Sequence, residues 1–319
     1  MLNLFTLRKG VGTYWRSMMT NLFRRVSRAL LPLLLGSAAA AVAAEPATRL
    51  PDAEPAMWMV KDADTTIYLF GTFHALDGKT DWFNDDVRKA FDASQDVVLE
   101  INTPDDPAAM RPALMKHAID RSGRTLTSKL SPAGRTALAA SLKKHGMPAG
   151  ALDQFKPFFA SLTLATLEFG KLGLGAEHGS EQVIKRALKG TAKKLGAVET
   201  VDEQLGMLNA LPEAEQLRLL ESALAESDSM GAEIKAMLAA WNRGDAAAVA
   251  KLIQKSDSDS PALFKLMFTD RNARWTQWVG KRLDTPGTVF MAVGAGHLAG
   301  DRSVVAMLKR EGRRVTRIQ

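Results

Sequence analysis

Gly71-Thr72-Phe73-His74 and Gly294-Ala295-Gly296-His297 repeat one arrangement: a strand-like apolar run, then a glycine, then a histidine four residues past the run. Glycine admits positive φ and close backbone approach, so each turn can aim an imidazole across the end of its strand. Glu100 lies at the end of a third apolar run. If the three strands are parallel in one sheet, His74, Glu100 and His297 meet at its carboxyl edge, where open α/β sheets hold ligands. Two imidazoles and a carboxylate can bind a catalytic divalent metal and leave positions for water and substrate. Glu199, ending a short candidate strand at 194–198, and Glu181, two residues past Gly179, are further acids that can join them. A lone histidine after a strand is more often a turn or hydrogen-bonded core residue. Here two of only five histidines share the turn, which favours function. His117, His145 and His178 fall in helical or loop sequence and read as surface residues. Arg271-Asn272 can clamp a substrate carboxylate, although an arginine on a helix face is ordinarily solvated.

The elements that must position these groups are legible as patterns. Residues 57–60 and 65–70 are two apolar runs around a charged turn, read as strand, turn, strand. Asn84 can cap a helix whose first turn holds Asp85 and Asp86 at the positive dipole end, with Phe83, Val87 and Phe91 on one face. With the run at 96–101 this makes a β-α-β unit, which predicts two parallel strands side by side. Residues from about 105 to 284 are mostly helical. Ile234, Met237, Leu238 and Trp241 repeat at i, i+3, i+4 and i+7, the spacing of a core stripe. A strand at 288–293, a helix at 302–310 and a strand at 313–318 complete an α/β fold: a mostly parallel central sheet with a large helical insertion at about 105–284.

Composition narrows the function classes. With 319 residues, 46% hydrophobic and 24% charged, the chain reads as globular. The absence of cysteine excludes disulfides, thiolate catalysis, zinc fingers and iron–sulfur ligation. Residues 1–44 hold six basic residues and no acid, so the formal net charge of +7 falls to +1 for the rest, and nucleic acid is not an expected partner. The same 44 residues have the layout of a secretory signal: basic Arg24 to Arg28, an apolar run, then Val42 and Ala44 before Glu45. Cleavage after Ala44 would give a periplasmic or secreted protein, tied to a membrane only through an uncleaved leader. A start at Met18 or Met19 would give an ordinary signal length and make residues 1–17 a misassigned start. Residues 45–55 read as a linker into a domain at 56–319.

Other chemistries fail on their motifs. Gly78-Lys79-Thr80 lacks the first glycine of a phosphate loop, since Phe73 stands there. There is no His-Glu-x-x-His and no Gly-x-Ser-x-Gly, which removes zincin and ordinary serine hydrolase readings.

Tyr68-Leu69-Phe70-Gly71-Thr72-Phe73-His74, the second Gly-x-x-His turn and Val98-Leu99-Glu100 resemble the TraB/PrgY/GumN family, in particular its exported GumN-type members. Lys156-Pro157-Phe158, Gly179-Ser180-Glu181, Val198-Glu199-Thr200 with Gln204-Leu205, and Asp270-Arg271-Asn272 extend the resemblance over about 56–319. Phe158 stands where the family often has tryptophan, and Ser180-Glu181 where Val-Asp is commoner. The resemblance implies a fold similar to erythromycin esterase and the haem-binding ChaN proteins. Through the animal TIKI metalloproteases it also implies a site of two histidines and a glutamate. It carries over His74, Glu100 and His297, with Glu181, Glu199 and Arg271 as further candidates.

The leading expectation is a periplasmic metal-dependent hydrolase, a peptidase or amidase acting on a peptide or small molecule. His74, His297, Glu100 and Glu181 would hold Mn²⁺, Co²⁺ or Zn²⁺, and Glu100, Glu199 and Arg271 would serve catalysis, with Glu100 open to either role. A non-catalytic protein binding haem, a metal or a peptide is the alternative. A metal-free esterase in which His74 activates water is the third.

Overall fold

The strands of the computed structural model, which describes residues 50–319, are β1 (Met57–Lys61), β2 (Thr65–Thr72), β3 (Asp96–Ile101), β4 (Lys194–Glu199), β5 (Gly287–Gly294) and β6 (Val315–Arg317). The leader at 1–44 and the first part of the 45–55 linker lie outside the described residues. The end of that linker is bound to the fold: the backbone N–H of Ala53 donates to Asp81 and that of Glu54 to Asn242.

The helices that matter for the site are α1 (Asp85–Ala93), α2 (Ser180–Leu188), α3 (Val201–Asn209), α4 (Ser227–Asn242), α5 (Ala246–Asp259), α6 (Asp270–Arg282) and α7 (Val304–Arg310). No helix among the described residues is long and apolar enough to cross a membrane.

The six strands form one sheet in the order β4-β3-β5-β2-β1-β6. Pairings β3–β4, β3–β5 and β2–β5 are parallel, while β1 runs antiparallel to both β2 and β6. The sheet is therefore mixed, with its parallel part at the centre. One sequence expectation is corrected here: β2 and β3 are parallel but not side by side, because β5 lies between them. Local pattern shows that β2 and β3 flank a crossover helix. It does not show that a strand nearly 190 residues further on inserts between them.

The central strands bury both faces, which explains their near-continuous apolar sequence. On one face Phe70, Val97, Leu99 and Phe290 pack with Val87 and Phe91 of α1, Ile184 of α2 and Trp241 of α4. On the other, Leu69, Val98, Met291 and Val293 meet Trp275 and Val279 of α6 and Val304 and Leu308 of α7. The stripe ending at Trp241 is core, as its spacing implies, and the Trp241 indole N–H also donates to the Gly71 carbonyl at 2.8 Å. The helical insertion has its own core, with Leu126, Leu142, Phe158, Leu164 and Leu220 among its members.

Two of the three histidines expected at the surface are not there. His117 is buried against Asp202 at 2.9 Å, and the His145 side chain is 5% exposed and 2.9 Å from Glu168. His178 is exposed. A partner carboxylate distant in sequence is what allows the first two to be covered.

The insertion also contains a covered ion pair. Burial by itself would raise the Asp120 carboxyl, but the Lys129 ammonium, bonded to it, holds it at about 2. A carboxylate depressed in the folded state contributes stability above its unfolded pKa, and the contribution is lost as pH falls through the folded value. Urea unfolding should thus lose on the order of 1–2 kcal/mol from this pair between about pH 4 and pH 2. In Asp120→Asn the same titration should show a correspondingly shallower loss; an unchanged profile would exclude the pair as its source.

Candidate active site

The parallel register brings the candidate residues to one level. Thr72 of β2 pairs with Gly294 of β5, Leu99 of β3 with Ala292, and Ile101 with Glu199 of β4. Because β5 is central, its turn carries His297 between the ends of β2 and β3. Gly71 is needed for this approach, since a Cβ there would lie 3.1 Å from the Cα of Ala295 in the second turn.

His74 and Glu181 form one half of the site. The His74 side chain is 66% exposed, with Nδ1 2.7 Å from Glu181 Oε1, which also accepts from the Thr72 hydroxyl at 2.6 Å. The motif around Glu181 explains its placement. A Cβ at Gly179 would collide with the His74 carbonyl, and buried Ser180 accepts from the Phe73 N–H at 3.0 Å. The Glu181 carboxylate raises His74 to about 9, against desolvation in the cleft, and water access screens part of that attraction.

Arg271 organises the other half. It projects from α6 and is only 2% exposed, so the solvated helix-face arginine of the sequence reading is corrected. Its Nε and one terminal nitrogen donate to Glu199, and that terminal nitrogen also reaches Glu100 at 2.5 Å. The remaining nitrogen reaches the Met267 carbonyl and His297 Nε2, each at 3.1 Å. Glu199 further accepts from Trp275 and Arg274, and Gln204 donates to both Glu100 and Glu199. Gln204 sits on α3, whose start is fixed by a reciprocal cap between Thr200 and Glu203.

His297 is buried and held in one tautomer. Its Nδ1 lies 2.6 Å from the Asn272 carbonyl oxygen, to which it donates, while Nε2 accepts from Arg271. Trp275 and Phe268 cover the ring at centroid distances of 4.4 and 4.9 Å. Burial pushes His297 down to about 3; Glu100 opposes the shift and Arg271 supports it. Burial alone would raise the Glu100 carboxyl, but the Arg271 guanidinium bonded to it, with the His74 imidazolium, holds it below the usual carboxylate range.

His74, Glu100, Glu199, Arg271, His297 and Glu181 are therefore one connected neighbourhood, yet the four expected metal ligands are not one ligand set. Glu181 stands behind His74 on Nδ1, and the Nε2 lone pair of His297 is taken by Arg271. Among the described residues no three histidine or acidic side chains are grouped to hold a metal ion as they stand. What does converge is His74 Nε2 and Glu100 Oε2. They lie 3.5 and 3.3 Å from the point where a side chain on Gly294 would begin, with the His297 ring carbon Cδ2 at 3.5 Å on the same point.

Sequence reasoning missed the positioning roles of Asn272, Gln204, Trp275 and Thr72. Asn272 and Gln204 stood inside quoted motifs, but the partners that tie them to the site, His297 and Glu100, are 25 and 104 residues away, and only the Gln204–Glu199 bond is local.

The uncharacterized proteins YbaP of Escherichia coli (strain K12) and of Shigella flexneri are each 28% identical over 149 residues. Those residues are 47% of this chain and 54% of each relative, so the chain spans about half the length of the curated relatives it matches. No solved structure matches the chain. The model of the TraB/PrgY/gumN family matches residues 56–317, from the start of β1 to the end of β6 and through every residue of the site, and the chain belongs to that family.

Proposed function

We propose that the chain is a metal-dependent hydrolase of acyl bonds, a peptidase or amidase, exported as its leader implies. The observation that carries this reading is the approach of His74 Nε2 and Glu100 Oε2 to one point beside Gly294. The charge of the cluster fits a cation. With both imidazoles neutral, Glu100, Glu181 and Glu199 outnumber Arg271 and Arg274 by one, and this excess is what keeps a proton on His74. His74 and Glu100 would hold Mn²⁺, Co²⁺ or Zn²⁺, which when bound supplies a Lewis acid for the scissile carbonyl and the attacking water.

The chain's own groups do the rest. Glu181 fixes the His74 tautomer with Nδ1–H outward to the carboxylate, leaving Nε2 toward the cradle, the arrangement in which a carboxylate strengthens a ligating imidazole. Arg271 keeps Glu100 ionised and directed at the Gly294 N–H, which it meets at 3.1 Å. Glu199, saturated by Arg271, Arg274, Trp275 and Gln204, positions Arg271 in this arrangement.

Titration of the purified chain with each metal, followed by metal analysis, should give near-stoichiometric loading that His74→Ala removes. Gly294→Ala should lower the affinity about tenfold or more by filling the cradle, with little change in unfolding midpoint. Metal-stimulated cleavage in a peptide library would support the hydrolase reading; no loading with any of the three ions would overturn its metal. The Arg271 bond to His297 Nε2 favours a second reading, in which the His74–Glu181 pair moves protons without a metal. Turnover unaffected by chelators would select it.

A further inference from the structure

Beside the turn that carries His297 lies a cavity of about 610 Å³, within the range of small-molecule sites. None of His74, Glu100, Glu181 and Glu199 lines it, although Asn272, the partner of His297, does. One part of its wall is apolar, formed by Trp58 of β1, Ile253 of α5, Phe264 and Phe268, Leu298 and Val305 of α7. Among the described residues its charged lining residues are Lys251, Arg302, Lys309 and Asp301. Lys251 and Lys309 are exposed, and neither is paired with a carboxylate among the described residues. The Arg302 guanidinium lies over the Phe264 ring at 5.2 Å, which keeps its charge at the aromatic wall.

We propose that this cavity binds an amphipathic anion, with an apolar chain between the aromatic and aliphatic walls and a carboxylate at the exposed Lys251 and Lys309 ammoniums. Apolar walls reward burial of a hydrocarbon chain, and these two ammoniums select a negative head over a neutral one. The wall is in contact with the candidate active site. Phe268 belongs to a π-helical stretch, Lys265–Thr269, of the kind that recurs at functional sites, and its ring lies against His297. A Cβ on Gly296 would stand 2.5 Å from Ile253 and 3.0 Å from Phe268, so the histidine turn and the cavity wall touch through that glycine. The occupant therefore presses on the surroundings of His297. The inference does not depend on the hydrolase reading.

The probe is decanoate, below its micelle concentration, titrated into the full chain by calorimetry, with decanol as the uncharged counterpart. One decanoate per chain should bind, about tenfold or more tighter than decanol, since one charge-assisted contact is worth roughly that factor. Trp58 fluorescence and the His297 ring resonance should shift on binding. Lys251→Ala combined with Lys309→Ala should reduce decanoate to the level of decanol, and Ala247→Trp, at an exposed lining position of α5, should block both. Circular dichroism will show that the variants are folded. No decanoate binding, equal binding of the two probes, or decanoate binding that survives both variants would each overturn the proposal.

Discussion

Arg271→Met should lower the unfolding free energy by about 3–5 kcal/mol, read as a large drop in the urea midpoint. The guanidinium is 2% exposed, and all five of its N–H groups are engaged, with Glu199, Glu100, the Met267 carbonyl and His297 Nε2. Glu100 and Glu199, 8% and 7% exposed, would then face one another without the cation between them. At least one would have to take up a proton or reach water, and either outcome loosens the packing of α6 against the sheet. Methionine restores apolar volume but no donor, so the loss measures the unpaired carboxylates rather than a cavity. Arg271→Lys should fall between, because one ammonium cannot donate in the fork that joins both acids. A midpoint for Arg271→Met equal to that of the unaltered chain would show that the buried ion cluster contributes no net stability and would leave Arg271 to a purely catalytic account.

The opposite signature is expected of His74→Ala. This side chain is largely exposed, so stability should change by no more than about 0.5 kcal/mol. Hydrolysis should nevertheless fall on the order of a thousandfold, since the variant removes the group facing the cradle and leaves Glu181 with nothing to orient. The comparison is made between unaltered and variant chains on the same peptide substrates with the same metal. His74→Gln, which keeps a hydrogen bond to Glu181 within reach, should restore fold contacts and not turnover. Retained turnover in His74→Ala would remove His74 from the reaction, whatever the metal content shows. Taken together, a destabilised Arg271 variant and an inactive but stable His74 variant would separate the residue that holds the site together from the one that acts in it.

Sequence alone determined the local elements and the family resemblance, and it singled out the residues that the fold gathers at one sheet edge. The strands at β2, β3 and β5, the helix that follows Asn84, the short strand before Glu199 and the Trp241 core stripe follow from alternation and helical spacing, which are properties of neighbouring residues, although Asn84 itself makes no side-chain cap bond and donates to the Asp81 carbonyl. The duplicated glycine-to-histidine turn likewise marked His74 and His297, because turn residues carry their geometry with them. Tertiary structure alone decided that β5 enters between β2 and β3, that His117 and His145 are covered, and that Arg271 is buried between two acids. It also decided which nitrogen of each imidazole is available. Glu181 takes Nδ1 of His74, whereas Asn272 and Arg271 take both nitrogens of His297, so two turns of the same glycine-to-histidine spacing present different chemistry. The physical reason is range: propensity and periodicity act over a few residues, while burial and the pairing of buried charge are set by partners that only the folded chain brings within 3 Å.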